Sequence, residues 1–428
     1  MIELLPNLGA EEGEDWRGMK SQPAVRAAAR LWALIHPRET RLHEQLGHEG
    51  ADTMQERPTD RDALWPEALG PPVDGSACAG LTEIEGPVAW LATPTIFAQA
   101  RSIFGAEPAG PAPAVVAALH DKAFAVEASE ALDLAPRALQ SLIEVLDPET
   151  LRHPATLAER LNARLRDWPE WTDRRFTLKP RQGSSGRGRV AGRDTIESGQ
   201  LAGALPRLAA RGGAIFEPWL DREADFSVIV DVPESSQAET LPLLVGSLEM
   251  LASESGVYRG HCGELDHRGR IFSGDPDDEA LRAGAAAVAG LARSRGYFGP
   301  CGVDAFRSRE HEGARPQLRG AVEFNARPTM GLVAIGLVRR ALARVRAPLE
   351  LEPGDRRAFA LIQLDLHRGE TVAALREALP DGAIWLDLAA PSAASGKRDT
   401  DEATTQPILV FARERAPLRA VIRQTLAC

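Results

Sequence analysis

Apolar residues recur at helical spacing in several parts of the chain. These parts are Ala24–Leu46, Val115–Leu146 and the segment that begins after Asp275–Glu279. The acidic residues before the third part suit a helix N-terminus, and Gly296 suits a helix end. We therefore predict helical structure in each part. The apolar stripe of the third helix consists of Leu281, Ala285, Val288 and Leu291.

Short apolar runs bounded by turn residues predict strands. The predicted strand Arg175–Lys179 leads into a glycine-rich segment, and Ala214–Glu217 begins a later group of strands. Because helices and strands are mixed along the chain, we predict a multidomain protein of α+β and α/β domains. The remaining predicted strands are Val88–Ala92, Phe226–Val232, Leu241–Met250, Gly302–Arg307 and Arg319–Asn325.

The length of the chain, 428 residues, predicts several subdomains rather than one compact core. Gly105–Pro113 is dense in Gly, Ala and Pro, which indicates a linker. Near the C-terminus, the polar and alanine-rich segment Ala390–Gln406 predicts a mobile loop. We place the domains at residues 1–114 (α/β), 115–213, 214–346 and 347–428, the last being a small α/β appendage.

Composition narrows the function classes. The net charge of −11 argues against a general nucleic-acid-binding protein, whose surface must neutralise phosphates. The four cysteines are scattered without a Cys-x-x-Cys pair, which argues against a disulfide framework or a structural zinc site. The sequence shows neither a signal-peptide pattern nor an apolar run of membrane-spanning length. We therefore expect a cytoplasmic protein without a membrane span.

The glycine-rich loop, defined as residues 182–192, is the first candidate site. Its glycines and serines let the backbone turn tightly and direct amide groups at an anion, and Lys179 supplies a cation beside it. A Walker A loop is excluded, because Gly186 is followed by Arg187 rather than Lys. The pattern Gly186-x-Gly188-x-x-Ala191 fits a dinucleotide-binding motif, but the residues after it start a helix poorly. A phosphate-binding loop and an ordinary surface loop both stay open.

Two predicted strands carry the second candidate site. Glu323 and Asn325 face one side of their strand, and antiparallel pairing places Asp304 of the other strand beside them. These three residues, the ligand trio, offer oxygen atoms of the kind that magnesium prefers. The alternative is a half-solvated amphipathic hairpin without a metal. Together with a phosphate-binding loop, the metal site is the better interpretation.

Other polar residues give weaker signals. His43 and His48 are five positions apart, which on a helix is too far around for a shared metal. Cys262 and Cys301 are interpreted as buried, unreactive thiols, and His261 and His267 as structural. Arg259 has the chemistry to bind a substrate carboxylate, but a solvated arginine is the favoured interpretation.

The order of these motifs resembles that of the ATP-grasp superfamily. Asp121-Lys122 resembles the family's early lysine, and Lys179 with Gly183–Gly188 resembles the second lysine and its lid over the phosphates. The ligand trio matches the family's metal ligands, and Arg327 matches the arginine just beyond them. The match spans about Ala118 to Leu342 by motif spacing. The lid residues that the resemblance assigns to phosphate are Gly183, Ser184, Ser185 and Gly186.

Two further segments resemble the nucleoside-binding part of the family. Glu217-Pro218-Trp219-Leu220 corresponds to the segment whose backbone and acidic residue meet the adenine. Asp225 stands at the ribose position, where the family usually has Glu-x-Ser rather than the Asp-x-Ser found here. The residues assigned to the nucleotide are Lys122, Lys179, Glu217, Pro218, Trp219, Leu220 and Asp225.

The resemblance implies an ATP-grasp fold in which two α+β subdomains clasp ATP. Lys122 and Lys179 would neutralise phosphate charge, and Asp304, Glu323 and Asn325 would hold magnesium, with manganese as an alternative. A substrate carboxylate would attack the γ-phosphorus to give an acylphosphate, and an amine would then displace phosphate. Arg327 is assigned either to the transferring phosphoryl group or to a salt bridge that orients Glu323.

The sequence therefore predicts an ATP- and magnesium-dependent carboxylate–amine ligase that releases ADP. Its partners are ATP and small molecules rather than nucleic acid or membranes, and a homodimer is one option for its assembly. The first rival is a non-catalytic ATP-binding module of the same fold. The second is an NAD(P)-dependent oxidoreductase built on Gly186-x-Gly188-x-x-Ala191. The sequence leaves the identity of the acid and the amine open.

Overall fold

The computed structural model describes residues 1–11, 22–44, 58–71, 77, 85–183, 188–234, 241–253, 257–309, 315–365, 372–389 and 405–426. Within these ranges the chain forms three sheets and eleven α-helices. None of the described helices is both long and apolar enough to cross a membrane.

The N-terminal segment forms a four-stranded sheet in the order β3-β2-β1-β4. Strand β1 is parallel to both β2 and β4, and helices α1 and α2 accompany this sheet. Its strands are β1 (Ile2–Leu5), β2 (Thr40–Leu42), β3 (Thr59–Asp60) and β4 (Gly86–Ala89). Its helices are α1 (Pro23–Leu34) and α2 (Pro94–Phe104).

The prediction of one helix over Ala24–Leu46 is wrong beyond Leu34. Pro37 removes a backbone donor and disfavours the helical conformation of the residue before it, so the helix ends and β2 follows. Helical structure over Val115–Leu146 is interrupted, because Asp121 caps a new helix with its side chain and Asp133, just after that helix, has a left-handed φ of 52°. The elements in this region are α3 (Pro113–Leu119), α4 (Lys122–Ala131), α5 (Arg137–Gln140) and β5 (Glu144–Leu146).

A small sheet follows, and all its strand pairs are antiparallel, in the order β5-β8-β6-β7. Two helices, α6 (Pro154–Arg166) and α7 (Ser198–Ala210), cover it with a hydrophobic core of its own. A separate core lets this unit act as a distinct subdomain. Its other strands are β6 (Arg175–Pro180), β7 (Val190–Arg193) and β8 (Ala214–Pro218).

The large sheet has nine strands in the described part of the chain, in the order β14-β13-β9-β10-β12-β11-β15-β17-β16. Its hydrophobic core is continuous with that of the N-terminal segment, through residues such as Trp32, Val228 and Leu332. The first six strands of this sheet along the chain are β9 (Arg222–Val232), β10 (Leu243–Ala252), β11 (Tyr258–Asp266), β12 (Ile271–Phe272), β13 (Gly299–Ser308) and β14 (Gln317–Asn325). The helices are α8 (Asp278–Ser294) and α9 (Met330–Val345).

The C-terminal segment extends the large sheet, because β15 pairs antiparallel with β11. It contributes β15 (Arg356–Asp365), α10 (Val372–Ala378), β16 (Ile384–Asp387), β17 (Thr405–Ala412) and α11 (Arg415–Leu426). The loop predicted at Ala390–Gln406 lies outside the described residues except for its last two positions, which belong to β17. The predicted α8 and the predicted strands of the small and large sheets are confirmed within a few residues at their ends.

Candidate active site

A cleft of about 680 Å³ lies between the small sheet and the large sheet. Lys179 and Glu217 line it from the small sheet, and the ligand trio lines it from the large sheet. Lys122, at the start of α4, also reaches the cleft. The residues that the sequence singled out at distant positions are therefore brought to one place.

The ligand trio is placed by the pairing of β13 with β14. Asp304 lies opposite Glu323 and Gly302 lies opposite Asn325, as antiparallel pairing predicted. Asn325 Nδ2 donates to Asp304 Oδ2 at 2.9 Å. Burial, followed by repulsion from Glu323, raises the pKa of Asp304 to about 7. Two close carboxylates that repel each other are a donor set suited to a hard divalent cation.

Glu323 is held in its charged form by cations around it. Burial opposes its ionisation, but Lys122 and neighbouring positive groups outweigh this, so the pKa of Glu323 is lowered. Lys122 Nζ lies 3.4 Å from Glu323 Oε1 and donates to the Gly183 carbonyl oxygen at 2.6 Å. Lys122 therefore connects the start of the glycine-rich loop to the acidic strand. The Lys122 side chain is also part of the cleft lining.

The structure describes the start and the end of the glycine-rich loop. Gly183 lines the cleft with a φ of 130°, which glycine tolerates best. Arg189, near the end of the loop, lies over the ring of Trp219 at 4.1 Å from its centroid. The assigned phosphate-binding residues Ser184, Ser185 and Gly186 lie outside the described residues.

Lys179, Glu217 and Arg319 form a charged triad, in which Lys179 and Glu217 line the cleft and Arg319 lies outside its lining. Lys179 Nζ lies 2.7 Å from Glu217 Oε1, and Arg319 Nη1 donates to Glu217 Oε2 at 2.7 Å. Burial opposes the ionisation of Glu217, but Arg319 and Lys179 outweigh it and hold its pKa below the usual range. Glu217, which the resemblance assigned to the adenine, thus has both oxygens engaged by cations.

Arg319 is a site residue that the sequence analysis missed. It lies on the same strand as Glu323 and Asn325, but the register of β14 against β13 shifts between Arg319 and Glu323. The alternation that groups Glu323 with Asn325 therefore does not extend to Arg319. The alternation also could not give the partner, because Glu217 is 102 positions away.

Only some of the residues that the resemblance assigned to the nucleoside line the cleft. Trp219, Leu220 and Asp225 line the cleft, whereas Pro218 ends β8 opposite Phe176 and is not among the lining residues. Asp225 accepts from Arg222 Nη1 at 2.6 Å. Asp225 therefore lines the cleft while its carboxylate is paired with Arg222.

Arg327 lines the cleft but is held by the N-terminal segment. Its Nη2 donates to Glu11 Oε1 at 3.0 Å and its Nη1 donates to the Pro328 carbonyl oxygen at 3.0 Å. Its guanidinium also lies 5.6 Å from the Trp90 ring centroid. The predicted salt bridge is present, but its carboxylate is Glu11 rather than Glu323. The N-terminal segment thereby contacts the functional cleft directly.

The structure gives different outcomes for the weaker candidate residues. Arg259 is buried, so the prediction of a solvated arginine is wrong. His261 lines the cleft and shares a 2.9 Å hydrogen bond with Tyr258, and burial lowers its pKa to about 3. Burial raises the pKa of both Cys262 and Cys301, in agreement with unreactive thiols. His43 pairs with Glu3, and His48 lies outside the described residues.

Among the described residues, no cluster of three His, Cys, Asp or Glu side chains is arranged to hold a metal. The ligand trio differs from such a cluster because its third oxygen comes from an amide. No protein-family model matches the sequence, and no curated protein matches it.

Several solved structures are similar to this chain, and one of them matches over its full length. A carboxyaminoimidazole ribonucleotide synthase from Aspergillus clavatus, crystallised with ATP, is 16% identical with a TM-score of 0.50, covering 100% of this chain and 97% of that chain. An N5-carboxyaminoimidazole ribonucleotide synthetase from Thermus thermophilus is 17% identical, with a TM-score of 0.45 over 81% of each chain. A biotin carboxylase from Campylobacter jejuni is 11% identical, with a TM-score of 0.46 over 82% and 76%. The ATP-grasp fold predicted from the motif order is confirmed.

Proposed function

We propose that this chain, which has the ATP-grasp fold, is an ATP- and magnesium-dependent ligase. It phosphorylates a substrate carboxylate, couples the acylphosphate to an amine, and releases ADP and phosphate. The observation that carries the proposal is the facing of Asp304, Glu323 and Asn325 toward Lys179 across one cleft. A cytoplasmic location, where ATP is available, belongs to the proposal.

The residues present fit a divalent cation. Asp304 and Glu323 are opposite each other in register, and burial together with their mutual repulsion raises the pKa of Asp304 to about 7. A cation between them would remove this repulsion, and Asn325 would add an amide oxygen. When bound there, magnesium would stabilise the charge that develops on transferring phosphoryl oxygens.

The chain's own residues supply the rest of the chemistry by position and charge. Lys122 and Lys179 would neutralise the phosphates, and the Arg327 guanidinium would bind the transferring phosphoryl group or the acylphosphate. Trp219 and Leu220 would cover the nucleobase, and Asp225 would meet the ribose. The small subdomain, with its own core, would close over the nucleotide and exclude water. The ATP bound in the Aspergillus synthase supports this choice of nucleotide.

A ligand panel read by thermal shift tests the nucleotide. ATP with magnesium at about 100 times its Kd would stabilise the protein by about 2.7 kcal/mol, whereas NAD would leave it unchanged. Stabilisation by NAD alone would favour the oxidoreductase. Stabilisation by ATP and magnesium without ADP release, over a broad set of acids and amines, would favour a non-catalytic module.

Replacement of Lys179 by alanine is expected to weaken ATP binding by about tenfold to a hundredfold, because a buried charge beside the phosphates is lost. Isothermal titration with ATP and magnesium measures the change. Arg207→Ala is the control, since Arg207 is exposed on α7 of the same subdomain, away from the cleft. Equal affinities for wild type and Lys179→Ala would contradict the assignment of Lys179.

A further inference from the structure

The charged triad joins the two sheets that form the cleft. Lys179 and Glu217 belong to β6 and β8 of the small sheet, whereas Arg319 belongs to β14 of the large sheet. Arg319 is 2% exposed, and its Nη1 reaches Glu217 Oε2 at 2.7 Å, while Lys179 Nζ lies 2.7 Å from Oε1. Each carboxylate oxygen of Glu217 therefore has a different cation.

We propose that Arg319 is a positioning residue for Lys179. Arg319 pairs with one carboxylate oxygen of Glu217, and the other oxygen holds the Lys179 ammonium in place in the cleft. Because Arg319 balances the charge of Glu217, the positive charge of Lys179 is not cancelled. The proposal rests on the proposed function, because it assigns the fixed ammonium to the phosphates of ATP.

The charge balance of the triad supports this role. Two cations share one carboxylate, which leaves one positive charge in excess at a buried wall. Glu323 also attracts Lys179 from outside the triad, but the net positive charge of the triad favours an entering polyphosphate. Without Arg319, Glu217 would be free to pair fully with Lys179, and the excess charge would disappear.

The surroundings of Arg319 do not explain its burial by packing. Its Nε and Nη2 atoms are buried without a hydrogen-bond partner among the described residues. Arg319 also lines a cavity of about 10 Å³, roughly the space of one water, together with residues that include Leu139, Trp171 and Leu220. A guanidinium with unmet donors is a poor core residue, whereas its one strong contact is to Glu217.

Several charged groups act on Lys179. Burial, Arg319 and Lys122 lower its pKa, Glu217 raises it, and the net result is about 8. Glu323, on β14, is the other carboxylate that interacts with it. Loss of Arg319 would therefore raise the pKa of Lys179, and loss of the Glu217 charge would lower it. The two replacements are therefore expected to shift the titration of Lys179 in opposite directions.

The chain has four lysines, Lys20, Lys122, Lys179 and Lys397, which makes a direct titration practical. Full-length protein labelled with ¹³C-lysine would be titrated by NMR between about pH 6 and pH 11, a range that brackets the ordinary lysine pKa, with the Lys179 signal assigned from Lys179→Arg. We expect the Lys179 signal to titrate near pH 8 in the wild type. It should move to higher pH in Arg319→Met and to lower pH in Glu217→Gln, and stay near the wild-type value in Arg319→Lys.

ATP affinity is measured on the same proteins. Above about pH 8 the wild type should lose affinity, because its Lys179 loses the proton that attracts phosphate. At about pH 7, Arg319→Met should bind ATP about tenfold more weakly, and Arg319→Lys within about threefold of the wild type. Arg356→Met, a half-exposed arginine on β15 of the same sheet, is the control with unchanged values.

An unchanged Lys179 titration in Arg319→Met overturns the inference, whatever the ATP affinity. If Arg319→Met does not fold, the inference is tested with Glu217→Gln and Arg319→Lys. An unshifted Lys179 titration in Glu217→Gln then overturns the inference. Shifted titrations in a protein that binds no ATP would instead refute the proposed function while leaving the positioning of Lys179 established.

Discussion

Replacement of Glu323 by glutamine is expected to lower the rate of ADP release about a hundredfold to a thousandfold, with the fold intact. Glutamine keeps the size of the side chain but removes the charge that would hold a cation opposite Asp304. The same change ends the repulsion that helps to raise the pKa of Asp304, but it also takes away the carboxylate that pairs with Lys122, so a modest loss of stability is expected. ADP release under saturating ATP and magnesium measures the rate, and thermal unfolding confirms the fold.

Glu264→Gln is the matched control for Glu323→Gln. Glu264 lies on β11 of the same sheet, outside the cleft lining, and its partly exposed carboxylate pairs with Arg356 at 3.6 Å. Its loss should leave ADP release unchanged. Normal ADP production by Glu323→Gln would refute the metal assignment of the ligand trio.

Replacement of Glu249 by alanine is expected to lower the free energy of unfolding by about 3–5 kcal/mol. Glu249 is fully buried on β10, and three arginines of α11 converge on its carboxylate. Without the carboxylate, three guanidinium groups would stay close together without a counter-charge. Urea denaturation of the full-length chain measures the change. The three arginines are Arg415, Arg419 and Arg423.

Two variants bracket the Glu249 result. Glu264→Ala on the neighbouring strand removes an exposed ion pair and should cost about 0–1 kcal/mol. Adding Arg419→Met to Glu249→Ala should restore part of the lost stability, because one uncompensated charge is removed. A loss below about 1 kcal/mol in Glu249→Ala would show that the arginines find other partners or water.

Local patterns in the sequence predicted elements well where local physics decides the outcome. Helix α8 carries an uninterrupted stripe and acidic first-turn residues, so its extent was predictable. The helix predicted through Leu46 failed at Pro37, whose effect on the preceding residue outweighed the apolar spacing. The attachment of β15 to β11 was not predictable, because pairing between strands so far apart leaves no local pattern.

The same distinction holds for the candidate site. The alternation of Glu323 and Asn325 was sufficient to place them on one face, and the assumption of antiparallel pairing was sufficient to place Asp304 beside them. The ion-pair partners of the arginines at the cleft could not be predicted from the sequence. Arg327 meets Glu11 across 316 positions, and Arg319 meets Glu217 across 102. Such contacts depend on how whole subdomains pack, and no spacing rule encodes them.

The pairing of β15 with β11 has a consequence for how this protein could have diversified. Because that ladder runs from Gly260 to Asp266, β15, β16 and β17 form a flank of the sheet that carries the ligand trio. Loss of this flank together with α11 would expose the hydrogen-bonding edge of β11. It would also leave Glu249 without the arginines that neutralise it. Changes in the sequence of α11 are therefore limited by the need to neutralise Glu249. One of the arginines concerned, Arg423, also lines the cleft.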